Sequence, residues 1–172
     1  GYLFDKPIAK TAFVHAAEIA HKAGRKVALT LSDAFCVDRH RDDFRKLIAG
    51  PLSYFMCNED EIKSLYQVDD FDTAMDLAAQ DCELVVATRS EKGVAIRQGD
   101  TRIDVPVTPT VPVDATGAGD QFAAGFLYGL TQGRDLETCG KMGCIAAGEV
   151  IAHIGPRPAE SIMEMFKVER LI

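Results

Sequence analysis

Lys26-Val27-Ala28-Leu29-Thr30-Leu31 is a short, nearly continuous apolar run, the pattern of a strand buried on both faces of a parallel sheet. Upstream, Asp5 can cap a helix with Pro7 in its first turn, and Ile8, Ala12, Ala16, Ile19 and Ala23 recur at helical spacing until Gly24, which predicts one apolar face. Downstream, a charged helix over Arg39 to Ala49 leads to a second buried strand, Ser53-Tyr54-Phe55-Met56-Cys57, which Asn58 ends. Helical stretches from Glu59 to Tyr66 and from Phe71 to Ala79 precede a third strand, Leu84-Val85-Val86-Ala87-Thr88. This alternation predicts an α/β fold of parallel strands with helices on both faces.

Two further strands, Gly93-Val94-Ala95-Ile96-Arg97 and Thr101-Arg102-Ile103-Asp104-Val105, flank Gln98-Gly99-Asp100 and read as an appended β-hairpin. Pro106, Pro109 and Pro112 keep the next connection extended. Helices are expected to about Thr131, from Leu136 to Ala152, and, after a break at Gly155-Pro156, from Ala159 to Phe166. No repeat, low-complexity tract or interdomain linker interrupts residues 1–172, which we expect to form one layered unit. Gly1-Tyr2-Leu3-Phe4-Asp5 reads like a strand end passing into a helix, so we expect further chain ahead of it.

Composition narrows the function class. Of the 172 residues, 47% are hydrophobic and 26% charged, enough apolar content for a substantial core. The formal net charge of −7 argues against a general binder of nucleic acid or anionic membrane, because both need a basic surface. The five cysteines, Cys36, Cys57, Cys82, Cys139 and Cys144, form no C-x-x-C pair, so reduced thiols are expected. With no bilayer-length apolar stretch and no charged-then-apolar leader, the chain reads as cytoplasmic. None of the four histidines has a partner at metal-ligand spacing.

The segment richest in chemistry is Asp114-Ala115-Thr116-Gly117-Ala118-Gly119-Asp120, which runs into the apolar Gln121-Phe122-Ala123-Ala124-Gly125-Phe126-Leu127. Its small residues allow a tight turn with bared N–H groups at a helix start, a cradle for phosphate, and a carboxylate stands beside it. Two common templates do not fit. No G-x-x-x-x-G-K-[ST] loop is present, and a dinucleotide fingerprint would need glycine where Phe122 stands. A bare G-A-G is as often only a loop, but here Phe122, Phe126 and Leu130 anchor the following helix and hold the turn.

These residues carry a family resemblance. Asp114 to Phe126 resembles the D-T-x-G-A-G-D segment of the ribokinase/PfkB family of small-molecule kinases. Asn58-Glu59-Asp60-Glu61 resembles that family's N-x-x-E segment, and Thr88-Arg89-Ser90-Glu91-Lys92-Gly93 its T-x-G-x-x-G stretch. The resemblance runs end to end but covers only the C-terminal half of the usual length, without the N-terminal substrate half and its lid. It implies a three-layer α/β/α ribokinase-like, Rossmann-like sheet and an ATP-dependent phosphotransferase.

By the same resemblance, Asp120 is the base that accepts the proton of the attacking hydroxyl, and backbone N–H groups of Gly117, Ala118 and Gly119 form the anion hole. An isolated aspartate there would otherwise be a helix N-terminal carboxylate stabilising the dipole. Asn58 and Glu61 would arrange Mg²⁺ through water, though from sequence they serve equally well as a helix capping box. Thr88, Ser90 and Gly93 would line the nucleotide, and Gly143, Ala147 and Gly148 would offer small residues to adenine, with close helix packing as the alternative. Asp114 and Thr116, with carbonyls near Val150, His153 and Gly155, are implied for a monovalent cation such as K⁺. Ser90 and Ala115 depart from the usual glycine and threonine or proline.

The stretch from Thr30 to Arg41 resembles bacterial adenosine-kinase-like members more than ribokinases or fructokinases. Adenosine is therefore the expected small-molecule substrate, with a sugar as alternative; a homodimer is an option. A third reading is a nucleotide-binding fragment that is silent without its other half.

Overall fold

The computed structural model describes residues 1–172. Its five strands, β1 (Ala28–Thr30), β2 (Tyr54–Asn58), β3 (Leu84–Thr88), β4 (Val94–Gln98) and β5 (Thr101–Val105), form one sheet in chain order. Contacts gather the residues into two compact units, Gly1–Ala87 with Arg97–Arg102, and Thr88–Ile96 with Ile103–Ile172.

In the first unit, β1 and β2 run parallel, with Ala28, Leu29 and Thr30 opposite Tyr54, Phe55 and Met56. Leu84, Val85, Val86 and Ala87 of β3 are all buried, which is why an unbroken apolar run, not an alternating one, encodes the strand. The helices are α1 (Pro7–Lys22), α2 (Ala34–Ile48), α3 (Glu59–Tyr66) and α4 (Phe71–Asp81). Phe44, Ile48, Phe55, Ile62, Leu65 and Met75 fill the core between them and the strands.

Three expectations are corrected here. Asp5 does not cap α1: it lies in a 3₁₀ turn, Tyr2–Asp5, and its carboxylate takes Arg39 through Nε at 3.1 Å and Nη2 at 3.0 Å, with His40 Nε2 at 2.8 Å. The expected apolar face of α1 is not the packed one, since Ile8 and Ile19 are exposed while Ala17 is buried and Phe13 meets the Phe4 ring edge-on. The apolar residues of α1 cover a wide arc, with Ile8 and Ile19 at one edge and Phe13 and Val14 at the other, so its periodicity is ambiguous; the Phe13 edge is the one that meets Phe4. Finally, α2 starts at Ala34 rather than Arg39, because the Asp33 carboxylate accepts the Cys36 N–H at 2.6 Å as an N-cap; the helix then kinks at His40.

The second unit is built on α5 (Ala118–Thr131), α6 (Leu136–Val150) and the short α7 (Ile162–Val168). Glycines let α5 and α6 approach closely. A Cβ on Gly125 would lie 2.6 Å from the Met142 carbonyl oxygen, and one on Gly143 would lie 2.7 Å from the Phe122 ring. Gly143 therefore belongs to helix packing, the alternative read from sequence. Phe122, Phe126, Met142 and Phe166 are buried in this unit. All five cysteines are free, and no helix is long and apolar enough to cross a membrane.

Candidate active site

In the first unit the candidate residues sit where β2 gives way to α3. Asn58 leaves the strand in extended backbone and caps the helix, its Oδ1 accepting the Glu61 N–H at 2.8 Å. Glu61 answers: Oε2 accepts the Asn58 backbone N–H at 2.9 Å, and Oε1 accepts Asn58 Nδ2 at 2.8 Å. The capping box read from sequence is thus formed, and it fixes a carboxylate that is 4% exposed. Burial pushes the Glu61 pKa up; the Asn58 N–H opposes this, and the nearby negative charge of Asp33 adds a smaller upward push. Both Glu61 oxygens keep a lone pair beyond these bonds, so the carboxylate fits a water-bridged contact to Mg²⁺.

The stretch carrying the adenosine-like resemblance is occupied with holding α2. Asp33 is its cap, Arg39 is clamped by Asp5, and Arg41 donates from Nε to the Ser64 carbonyl at 3.0 Å.

In the second unit, the chain passes from Asp114 through a turn into α5. Gly117 takes the left-handed conformation, φ +82°, and a Cβ there would come within 2.6 Å of the Pro156 Cβ. Gly119 differs: a Cβ there would meet nothing within 4 Å. The N–H groups of Gly119 and Asp120 fall in the first turn of α5, where no intrahelical acceptor exists. Ala118, expected as a full member of the anion hole, already donates its N–H to the Ala115 carbonyl at 3.2 Å. The Asp120 carboxylate is exposed in the same first turn and bonds to no other protein group.

Asp114 braces this turn. Its Oδ1 accepts the Thr116 N–H and its Oδ2 the Gly155 N–H, both at 2.9 Å. Bonding from the Thr116 side chain, then from the Gly155 and Thr116 N–H groups, brings its pKa down to about 2. Each Asp114 oxygen accepts one N–H and keeps a lone pair, as the Glu61 oxygens do, so bracing the turn is compatible with the monovalent-cation contact that the resemblance implies. A carboxyl whose folded pKa lies below its unfolded value contributes stability above the unfolded pKa, about 3.9. That contribution is lost as pH falls through about 2. An NMR titration of the Asp114 carboxyl carbon should therefore have its midpoint near 2; a midpoint at 4 or above would remove the brace.

The 3₁₀ turn Ser90–Lys92 lies between β3 and β4. Arg89 N–H bonds the Gly93 carbonyl at 2.8 Å, and Gly93 N–H bonds the Ser90 carbonyl at 3.0 Å. Gly93 has φ +84°, and a Cβ there would sit 2.0 Å from the Val105 carbonyl oxygen, so its glycine is required by the sheet itself. Ser90 occupies a left-handed position, φ +50°, without being glycine. Ser90→Gly should raise stability by about 0.5–1 kcal/mol, read as the midpoint of urea unfolding. No gain would mean that the serine side chain makes up for its backbone. Thr88 ends β3, and Gly148, on α6, is open except for Thr110 Oγ1 at 3.8 Å from a Cβ placed there.

Sequence reasoning missed Glu149. This carboxylate in the last turn of α6 is buried, yet Oε1 accepts the N–H groups of Ala159 at 2.8 Å and Glu160 at 2.9 Å. Burial raises its pKa, but the Glu160 and Ala159 N–H groups and His153 outweigh that and hold it below the usual carboxylate value. The available signal was an acidic residue among the buried Ala146 and Val150 on one helix face.

The start of α5 thus presents first-turn N–H groups without intrahelical acceptors and, beside them, the exposed carboxylate of Asp120. Comparison with known proteins gives the family. The model of the pfkB family carbohydrate kinases matches residues 1–162. A probable sugar kinase from Rhizobium etli is 50% identical with a TM-score of 0.97, over 99% of this chain and 52% of that one. The adenosine kinase from Sinorhizobium meliloti is 46% identical with a TM-score of 0.95, over 98% of this chain and 52% of that one. A cytidine kinase of Thermococcus kodakarensis is 35% identical over 137 residues, 77% of this chain and 49% of its own length. The chain therefore spans about half the length of these relatives, and they support the three-layer ribokinase-like fold expected from sequence.

Proposed function

The chain belongs to the pfkB family of carbohydrate kinases, and from that premise we propose that it is the nucleotide-binding and catalytic half of an ATP-dependent kinase. The kinase moves the γ-phosphate of ATP to a hydroxyl of a nucleoside or sugar, and adenosine is the acceptor we favour. The observation that carries this reading is the turn at Gly117–Gly119, held rigid by Asp114 and Pro156, with the unpartnered carboxylate of Asp120 at its helix start.

Phosphoryl transfer asks the protein mainly to position reactants and to meet negative charge spread over the phosphoryl oxygens. The first-turn N–H groups of α5 supply preorganised donors, with the helix dipole favouring anions at the same point. Asp120 accepts the proton as the acceptor hydroxyl attacks, and its freedom from other partners leaves both oxygens available. Asn58 and Glu61 would hold Mg²⁺ through water, and the ion when bound offsets phosphate charge. Thr88, Ser90, Gly93 and Gly148 are assigned to the nucleotide, and Thr116 to the turn.

The names of the relatives quoted above divide between sugar, adenosine and cytidine. The choice of adenosine rests on the Thr30 to Arg41 resemblance together with the likeness to the Sinorhizobium meliloti protein. A second reading follows from the half-length match: alone, this chain binds nucleotide without turning over an acceptor. Incubation with MgATP and a panel of adenosine, cytidine, ribose and fructose, followed by ADP release and phosphorus NMR, separates the two. Phosphorylated adenosine supports the kinase as proposed, and phosphorylated sugar alone moves the acceptor class. ATP binding with no product from any acceptor supports the second reading, and neither binding nor product sinks both.

A further inference from the structure

Only two charged side chains are buried, Glu61 and Glu149. The capping box accounts for Glu61, but a carboxylate in the last turn of a helix faces the negative end of the dipole, so Glu149 is there against the local electrostatics. Its compensation is far along the chain: the N–H groups of Ala159 and Glu160 meet Oε1, with His153 Nε2 at 3.3 Å. Its Oε2 is buried without a hydrogen-bond partner among the protein groups.

The segment that Glu149 closes, residues 151–160, is the strap over the anion-binding turn. The Ile151 carbonyl accepts the Val113 N–H at 2.7 Å, and the Gly155 N–H reaches Asp114 Oδ2 at 2.9 Å. The Pro156 ring occupies the space a side chain on Gly117 would need, and its carbonyl accepts Gln121 Nε2 at 3.3 Å. One end of the strap continues from α6 by covalent connection. The other end is held to α6 by Glu149, so the loop is closed at its base by a side chain.

We propose that Glu149 is a positioning residue that presets the anion-binding turn at Gly117–Gly119 by closing the 151–160 strap against Asp114 and Pro156. Its consequence for catalysis rests on the kinase reading, whereas the mechanical coupling does not. The test compares Glu149→Ala, Glu149→Asp and Glu149→Gln in this chain by amide hydrogen exchange without nucleotide. Gln keeps the length and an acceptor oxygen; Asp keeps the charge but is one methylene too short. Ala and Asp should speed exchange about tenfold or more at Ala159 and Glu160, and also at Gly155 and Thr116, which Glu149 does not touch; Gln should stay near the parent. In an active form, kcat should fall with acceptor KM unchanged in the Ala and Asp variants, and recover in Gln.

Faster exchange confined to Ala159 and Glu160 would overturn the proposal, leaving Glu149 a local cap. If the Ala variant does not fold, the comparison of Asp with Gln decides alone, and equal behaviour at Gly155 and Thr116 overturns it. If the parent binds no ATP, the kinase reading fails while the exchange result still decides the coupling.

Discussion

Asp120→Asn should lower turnover by about 10²- to 10⁴-fold, the usual range for a positioned general base, while ATP binding survives. The structure makes this a clean substitution. The carboxylate is exposed and bonds to no other protein group, so asparagine removes a charge without breaking a contact. Loss of its interaction with the α5 dipole should cost no more than about 1 kcal/mol of stability. Steady-state kinetics on an active form, with ATP affinity by calorimetry and a thermal melt as controls, separate the outcomes. A variant within a few fold of the parent would show that Asp120 is not the base and is only a helix N-terminal carboxylate.

The parts of this molecule that sequence reveals are those whose cause is local. β3 is legible because Leu84, Val85, Val86 and Ala87 are buried on both faces, and burial on both faces leaves no alternation to misread. Asn58 and Glu61 are legible because a capping box is a three-residue event. Gly117 and Asp120 are legible for the same reason, since turn, helix start and carboxylate lie in consecutive positions. What escapes is decided by distant residues. The orientation of α1 depends on Phe4 and Phe13, and nothing in an alanine-rich helix encodes which face Phe4 will choose. Asp5 could cap or pair, and Arg39 and His40, more than thirty residues away, settle it. Glu149 is the sharpest case, because the N–H groups its carboxylate accepts, those of Ala159 and Glu160, lie past the end of its helix. In the segment resembling adenosine-kinase-like relatives, Asp33 and Arg41 brace α2, a role that the likeness alone does not reveal.

The two glycines of the turn should respond to the same substitution in opposite ways. Gly117→Ala puts a Cβ at a left-handed φ and 2.6 Å from the Pro156 Cβ. The backbone penalty and the overpacking together should destabilise by about 2–4 kcal/mol, a fall in Tm on the order of 10 °C for a chain this size. Gly119→Ala meets no atom within 4 Å and has no positive φ, so the protein itself has no need of glycine there. Its stability should stay within about 1 kcal/mol of the parent or rise, because alanine is the better helix former. If glycine at 119 instead serves the close approach of phosphate to the backbone, Gly119→Ala should weaken ATP binding at least about tenfold with the melt unchanged. Thermal unfolding and ATP titration on both variants give the pattern. An alanine at 119 that binds ATP like the parent would mean that no phosphate comes close to that backbone, and the cradle would have to be sought elsewhere on the chain.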